Sequence, residues 1–397
     1  MSDVRHHFFT AFQTTPALAV ASPGRINLIG EHTDYNHGFV LPAAIDKSVQ
    51  VAIGKRTDGT IHMVAMDIKE TVMLPIQNLK PHTTQWVNYV IGVVDQVIEK
   101  LAKQQNNSNT HYAALLNGFN ITLQGNIPIG AGLSSSAAVE CAVLFALNEL
   151  YDLQLTKMEM AMMAQKAEHD FAGVKCGIMD MFASLFGQKN KVILLDCVTL
   201  SYQYYPFDLT EYCIVLFDTQ IKHALASSEY NTRRIECEQG LQAIQKKYPA
   251  IQSWKEVNLE QVENCLGASS GTPSKIYQRC KYVVAEIDRV QTAVVDLVAG
   301  DMKAFGNKMY ATHEGLSQLY EVSCPELDFL VAAVKDNENV IGARMMGGGF
   351  GGCTINIIKK DAVDAVTKEV ADAYAKQTNR SLSVYLTSIE EGTHLIK

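Results

Sequence analysis

One short segment of the chain combines residue types that suit the binding of a phosphate group. Glycine lets backbone amides approach a ligand closely, and serine can cap a helix or offer its hydroxyl. The apolar run at residues 137–147 predicts a buried helix, whose N-terminus carries unpaired N–H groups and a partial positive charge. Such an end favours a phosphate, and an ordinary capped loop is the alternative. The segment consists of Gly130, Ala131, Gly132, Leu133, Ser134, Ser135, Ser136 and Ala137.

A second segment, residues 22–36, gathers charged and polar side chains between turn-forming residues. It contains Arg25, Glu31, His32 and Asp34. Carboxylates and an imidazole are suitable partners for the neighbouring hydroxyl groups of a sugar. An arginine can stabilise negative charge that develops on oxygens during transfer. The alternative is a solvated turn with an internal Arg–Glu ion pair.

Two acidic residues further along the chain are candidates for chemistry. Glu168 ends a helical run, and Asp180 lies in an apolar neighbourhood. An acid among apolar residues is costly unless it is paired or functional. The alternatives are an exposed acid at a helix end for Glu168 and a helix N-cap for Asp180.

A third segment holds five glycines within residues 347–352, directly before an apolar strand. Its spacing formally matches a dinucleotide fingerprint, but that fingerprint should follow a strand and open a helix. We therefore predict a backbone surface that closes over a ligand or over the first glycine segment, with a plain tight turn as the alternative. The Walker A and protein-kinase motifs are absent, so any phosphate must be bound by a different loop.

The composition limits the partners of the chain. A net charge of −8 argues against nucleic acid or an anionic membrane as the main partner. No apolar run is long enough for a membrane span, and the N-terminus lacks the layout of a signal peptide. The nine cysteines form no CxxC pair and indicate buried thiols in a reducing compartment. We expect a cytoplasmic protein.

The elements that must position these residues divide into two units. A chain of 397 residues exceeds one ordinary core, and we expect domains at residues 1–200 and 201–397. Residues 16–64 look rich in strands, with Asp58 and Gly59 predicting a hairpin turn between two of them. Apolar spacing predicts helices at 86–103 and 136–150. The last strand, helix and strand, from residue 353 to 389, predict a split β-α-β layer.

Taken together, these segments resemble the GHMP kinase superfamily and, within it, the galactokinase family. The most specific match is residues 23–36, which are similar to the galactokinase signature. Further similar segments are residues 130–137, 176–180, 227–230, 322–328 and 347–352. The resemblance implies an α+β fold with two lobes: an N-terminal lobe like ribosomal protein S5 and a ferredoxin-like C-terminal lobe.

The resemblance also implies a reaction and a role for each matching residue. The reaction would be ATP-dependent phosphorylation of α-D-galactose at its C1 hydroxyl. Asp180 would be the catalytic base and Arg25 would stabilise the transition state. Ser136 and Glu168 would hold Mg²⁺, and Trp86 would lie near the adenine. The other ligand-binding residues would be Glu31, His32, Thr33, Asp34, Gly177 and Tyr230 for the sugar, and Gly130, Ala131, Gly132, Leu133, Ser134, Ser135 and Ser136 for ATP.

Two other functions remain open from the sequence. One is a GHMP kinase for another substrate, such as N-acetylgalactosamine, and the other is a galactose sensor without turnover. The complete serine segment, together with Asp180 and Arg25, favours an active enzyme over a sensor. Met181 and Met346 depart from the residues usual in the family, but neither replaces a predicted catalytic residue. We expect a monomer that binds galactose and ATP and neither nucleic acid nor a membrane.

Overall fold

The computed structural model describes residues 3–104, 116–221, 226–268 and 274–397. The predicted helices and the predicted buried core helix are confirmed. The helices are α1 (Val4–Phe12), α2 (Gln85–Gln104), α3 (Ser135–Tyr151), α4 (Lys157–Ala167), α5 (Met179–Phe186), α6 (Ala226–Lys247), α7 (Leu259–Leu266), α8 (Ser274–Ala299), α9 (Met302–Glu314), α10 (Pro325–Val334) and α11 (Val363–Thr378). The strands are β1 (Leu18–Asn27), β2 (Phe39–Val40), β3 (Pro42–Lys55), β4 (Thr60–Ala65), β5 (Glu70–Pro75), β6 (Gly118–Gly125), β7 (Lys191–Asp196), β8 (Tyr202–Pro206), β9 (Tyr212–Asp218), β10 (Val340–Met345), β11 (Cys353–Lys359), β12 (Ser383–Thr387) and β13 (His394–Leu395).

A six-stranded sheet supports the first half of the chain, in the order β13-β1-β3-β6-β4-β5. The predicted hairpin around Asp58 and Gly59 is wrong, because β6 lies between β3 and β4. β6 is antiparallel to β3 and parallel to β4. The chain does bend at Asp58 and Gly59, but pairing with a distant strand replaces pairing between sequence neighbours.

Helix α3 is the buried helix of this half. It packs against α2, α4 and α5 and against strands β1 and β3. Nearly all of its apolar residues are buried, and they belong to the largest hydrophobic cluster of the protein. This burial fixes the N-terminal end of α3, where the first glycine segment enters it.

A four-stranded antiparallel sheet, β10-β11-β9-β12, supports the second half. Strands β11 and β12 both run antiparallel to β9, which lies between them, and α11 connects them along the chain. This is the predicted split β-α-β arrangement. The sheet presents the turn after β10, which contains the third glycine segment, to the first half of the chain.

The two halves are connected by more than the chain between them. Strand β8 lies beyond residue 200 but pairs with β7, and β13 returns to the first sheet beside β1. Because these pairings connect segments on both sides of residue 200, the domain boundary at that residue remains a prediction. None of the helices in the described ranges is long and apolar enough to cross a membrane.

Candidate active site

Arg25 and Asp180 form the charged centre of the site. Arg25 lies on β1 and is 4% exposed, and its Nε donates to Asp180 Oδ1 at 2.7 Å. The Ser134 hydroxyl donates to the other oxygen, Asp180 Oδ2, at 2.6 Å. Burial alone would lower the pKa of Arg25, but Asp180 and two further carboxylates outweigh it and raise that pKa. The centre therefore holds an ionised arginine against one acid.

The N-cap alternative for Asp180 is wrong. Helix α5 begins at Met179 after the N-cap residue Ile178, so Asp180 lies within the first turn. Its carboxylate oxygens accept from Arg25 and Ser134, which lie on other elements. The helix start thus serves to place the acid beside the first glycine segment.

The first glycine segment has the backbone that its residues predicted. Gly130 and Gly132 adopt positive φ angles of 81° and 75°, which only glycine adopts readily. Ser134 is the N-cap residue of α3, yet its side chain makes no cap hydrogen bond, because the hydroxyl is used by Asp180. The first-turn N–H groups of α3 therefore remain available for an anion.

The third glycine segment packs on the first, as predicted. A Cβ atom added to Gly347 would lie 3.2 Å from Gly132 Cα, and one added to Gly132 would lie 3.2 Å from the Met346 carbonyl oxygen. Gly349 has a φ angle of 83° and passes so close to Val322 that no side chain fits. The two backbone segments are therefore in direct contact, and glycines of the third segment line the cavity of the site.

A cavity of about 240 Å³ opens between these elements. It contains both predicted catalytic residues and most of the predicted sugar-binding residues. Thr33 and Gly177 are the exceptions. Thr33 is fully buried, and its hydroxyl donates to the carbonyls of Gly30 and Phe39. The lining residues are Arg25, Glu31, His32, Asp34, Glu168, Val174, Cys176, Met179, Asp180, Tyr230, Gly347, Gly348 and Gly349.

Glu31 is held by a buried arginine that sequence reasoning missed. Arg344 on β10 is fully buried and donates to Glu31 Oε2 at 2.6 Å, while the Gly347 N–H donates to Oε1 at 3.0 Å. Arg344 also donates to the carbonyls of Leu28 and Asn27. A lone arginine in an apolar strand directly before the third glycine segment was the available signal.

His32 is buried and neutral. Burial lowers its pKa to about 3, and the guanidinium groups of Arg233 and Arg344 act in the same direction, opposed by a backbone contact with Gly348. Its Nδ1 lies 2.7 Å from the Tyr35 hydroxyl. Its Nε2 is buried and makes no hydrogen bond of normal geometry to any residue that the structure describes.

Asp34 lies against Gly177. A Cβ atom at Gly177 would approach Asp34 Oδ2 to 2.0 Å, so any larger residue would displace the carboxylate. Gly177 thus shapes the cavity from behind Asp34 without lining it. Burial raises the pKa of Asp34 to about 7, and the nearby Asp180 carboxylate adds to this. Tyr230, on α6, completes this side of the cavity.

Ser136 and Glu168 are brought together, as the predicted metal site requires. The Ser136 hydroxyl donates to Glu168 Oε1 at 2.9 Å. Glu168 opens a π-helical turn, Glu168–Ala172, and is 7% exposed. Burial, and then Asp180, raise its pKa to about 7. Magnesium prefers oxygen ligands and commonly takes one or two from the protein and the rest from phosphates and water, so this pair fits it.

A second, more apolar cavity of about 430 Å³ adjoins the first glycine segment. Trp86 and Tyr89 of α2 line it, together with Ser135 and Ser136. The Trp86 indole N–H donates to Glu70 at 2.6 Å, which fixes the ring. A flat aromatic group bound here would place an attached phosphate at the start of α3.

Glu140 is a buried acid that sequence reasoning also missed. It lies one turn after Ser136 on α3 and is fully buried, and neither of its carboxylate oxygens has a hydrogen-bond partner among the described residues. Burial raises its pKa well above its ordinary value, and Glu168 and Asp180 add to the effect. Both effects favour the protonated form of this side chain over the carboxylate.

Glu140→Gln is expected to change how stability depends on pH. Above the ordinary pKa of a glutamate, the unfolded chain releases this proton and the folded protein keeps it, so the wild type loses stability as the pH rises. The variant lacks this loss, and from pH 5 to pH 8 it should gain about 1 kcal/mol or more relative to the wild type. Urea unfolding at both values measures the difference. The stability of the control Glu149→Gln, at an exposed position of α3, should change with pH as that of the wild type does. If the stability of Glu140→Gln also changes with pH as that of the wild type does, Glu140 is ionised in the folded protein.

Comparison with known proteins gives the class of protein that the sequence resembles. Family models match the chain over residues 6–55 (galactokinase galactose-binding signature), 88–188 (GHMP kinases N terminal domain) and 293–376 (GHMP kinases C terminal). A mevalonate kinase structure, at 19% identity, a TM-score of 0.60 and coverage of 94% of this chain and 100% of the other, shows the shared fold alone. The chain has the two-lobed α+β fold of the GHMP kinases and is an enzyme of that class, as predicted.

Relatives that match over nearly their whole length identify the family within this class. The galactokinase of Thermotoga maritima is 40% identical over 380 residues, which are 96% of this chain and 100% of that protein. The human galactokinase is 36% identical over 404 residues, covering 100% of this chain and 96% of its own. A crystal structure of Lactococcus lactis galactokinase with galactose matches with a TM-score of 0.89, 33% identity and 98% coverage of both chains. The chain belongs to the galactokinase family.

Proposed function

We propose that this enzyme transfers the terminal phosphoryl group of ATP to the C1 hydroxyl of α-D-galactose. The observation that carries the proposal is the position of Asp180. Its carboxylate lies in the sugar-sized cavity and also accepts from Ser134 of the first glycine segment. An acceptor hydroxyl in the cavity and a phosphate at the start of α3 would therefore meet at Asp180.

The charged centre suits this transfer. Asp180 would accept the proton of the sugar hydroxyl, and general-base help of this kind contributes about 10²–10⁴-fold. Arg25 is paired with that carboxylate at 2.7 Å and would lie where charge develops on the transferred oxygens. The remaining catalysis is positioning by the two glycine segments.

The ligands would occupy the two cavities separately. Glu31, His32, Asp34 and Tyr230 would contact galactose, and Gly177 would keep Asp34 in place. Thr33, which the sequence assigned to the sugar, would instead hold the loop. The first glycine segment would surround the ATP phosphates, with the adenine beside Trp86 and Tyr89. Mg²⁺ would bind Ser136 and Glu168 and would neutralise phosphate charge.

Discrimination between galactose and glucose tests the proposed substrate. The two sugars differ only at C4, and a buried hydrogen-bonding group left unpaired costs about 1–3 kcal/mol. The kcat/KM for galactose should therefore exceed that for glucose by roughly tenfold to more than a hundredfold. The measurement is ADP release with both sugars and one enzyme preparation. A ratio near one would return the protein to a general GHMP sugar kinase.

The same assay addresses the two other functions. N-acetylgalactosamine belongs in the sugar panel, and a preference for it would replace galactose as the substrate. A sensor would bind galactose without releasing ADP. The presence of Arg25, Asp180 and the Ser136–Glu168 pair in one site favours turnover.

Variants of the metal pair should change the magnesium requirement. Ser136→Ala and Glu168→Gln each remove one oxygen ligand, and we expect about a tenfold or greater rise in the Mg²⁺ concentration for half-maximal activity. Galactose binding without nucleotide, measured by calorimetry, should be nearly unchanged. Glu149→Gln is the matched control. An unchanged Mg²⁺ dependence in either variant would exclude that residue as a ligand.

We also propose a cytoplasmic monomer that works without nucleic acid or membrane. All nine cysteines are free, which suits a reducing compartment. The net charge of −8 supports the absence of a polyanionic partner.

A further inference from the structure

A chain of hydrogen-bonding side chains leads from the sugar cavity into the second half of the protein. The His32 Nδ1 atom lies 2.7 Å from the Tyr35 hydroxyl, which lies 3.0 Å from the Tyr320 hydroxyl. The Tyr320 hydroxyl in turn lies 3.3 Å from the Cys237 thiol. All four residues are buried, and only His32 lines the cavity.

The direction of the protons in this chain follows from Asn36. The Asn36 Nδ2 atom lies 2.7 Å from the His32 carbonyl oxygen, so it is the nitrogen of the amide. The same nitrogen lies 3.4 Å from the Tyr320 hydroxyl and can only donate to it. Tyr320 therefore accepts from Asn36 and has its own proton to give.

The Tyr320 proton has two possible acceptors, Cys237 and Tyr35. A thiol is a weak acceptor, whereas a phenol oxygen is a good one. The proton therefore points to Tyr35, and the Tyr35 proton points to Nδ1 of His32. A neutral imidazole carries one proton, which leaves that proton on Nε2.

We infer that Tyr320 and Tyr35 are positioning residues that fix His32 in the tautomer with Nε2–H facing the sugar. This inference rests on the proposed sugar kinase function. Glu31, beside His32 in the cavity, forms an ion pair with Arg344. Its carboxylate can accept hydrogen bonds but not donate them. A sugar hydroxyl that donates to this carboxylate has lone pairs that can accept a further hydrogen bond. The Nε2–H of His32 would donate that hydrogen bond. One sugar hydroxyl would thus donate to Glu31 and accept from His32 at the same time.

The aromatic rings packed around His32 fix the orientation of its imidazole. The ring centroids of Tyr230 and Tyr320 lie 5.5 and 5.0 Å from that of His32. Replacing a tyrosine by phenylalanine removes its hydroxyl and keeps its ring. Tyr35→Phe therefore tests the hydrogen bond from the Tyr35 hydroxyl to Nδ1 separately from the packing.

The first experiment is ¹⁵N NMR of the imidazole in the wild-type protein, with His32→Gln used to assign the signal. We expect a neutral ring with Nε2 protonated and Nδ1 bare from about pH 5.5 to pH 8. A proton on Nδ1 would overturn the inference. In Tyr35→Phe, where Nδ1 has lost its donor, we expect both tautomers. This measurement needs no turnover, so it stays informative if the proposed function fails.

The second experiment is steady-state kinetics. Tyr35→Phe should raise the KM for galactose by about tenfold and change kcat by less than about threefold, because a ground-state contact is lost. Tyr320→Phe should change KM in the same direction by a smaller factor. Tyr310→Phe, which removes a hydroxyl on α9 outside the site, should match the wild type.

Galactose analogues that each lack one hydroxyl complete the test. For the analogue without the hydroxyl read by His32, Tyr35→Phe should raise KM no further. If the variant raises KM equally for every analogue, its effect is structural and the inference is wrong. If the wild type releases no ADP with any sugar, the proposed function fails, and the NMR result then decides the tautomer alone.

Discussion

Asp180→Asn is expected to lower kcat by about 10²–10⁴-fold while leaving the fold and ATP binding intact. The amide has the shape of the carboxylate, and its oxygen can still accept from Arg25 or Ser134. It cannot take the proton of a sugar hydroxyl. The loss should therefore appear in kcat rather than in the KM for ATP. Steady-state assays at saturating ATP and galactose measure it.

The control for this variant is Asp372→Asn, which makes the same chemical change at an exposed position of α11. Circular dichroism and nucleotide binding show whether Asp180→Asn is folded. Near-wild-type turnover by the folded variant would remove Asp180 from catalysis. It would leave the acid as a partner that orders Arg25 and Ser134.

The sequence predicted the first glycine segment well because its signal is local. Glycines with positive φ, serines at a helix start and an apolar helix lie within one short stretch, and the structure has each of them. The use of the Ser134 hydroxyl was not predictable in the same way. Its partner, Asp180, lies 46 positions later, and no local pattern indicates that such a serine serves an acid rather than its own helix.

Long-range pairing between strands explains the failed hairpin prediction. The hairpin at Asp58 and Gly59 failed because β6, which is distant in sequence, competes successfully for the edges of β3 and β4. Local propensity does not predict the pairing of β6 with β3 and β4, because contacts between distant segments decide it. The resemblance implies that Thr33 binds the sugar; in the structure its hydroxyl donates to the carbonyls of Gly30 and Phe39, a local contact that the motif does not reveal.

Arg344 is the residue of the site whose loss should most affect stability. It is fully buried and binds Glu31, which lies 313 positions earlier in the chain. Removing one partner of a buried ion pair leaves an uncompensated charge and typically costs about 3–5 kcal/mol. We expect Arg344→Met to lose stability in this range. The KM for galactose should also rise, because Glu31 lines the cavity.

A double-mutant cycle separates the ion pair from the rest of the arginine's contacts. Glu31→Gln alone leaves Arg344 without its counter-charge, whereas the double variant Glu31→Gln with Arg344→Met removes both charges. The double variant should therefore be more stable than the sum of the single losses predicts, by about 1–3 kcal/mol. Urea unfolding of all four proteins measures this coupling, and Arg380→Met, at an exposed position, is the control. Single losses that add to within about 0.5 kcal/mol would mean that Arg344 stabilises the protein through the carbonyls of Asn27 and Leu28 rather than through Glu31.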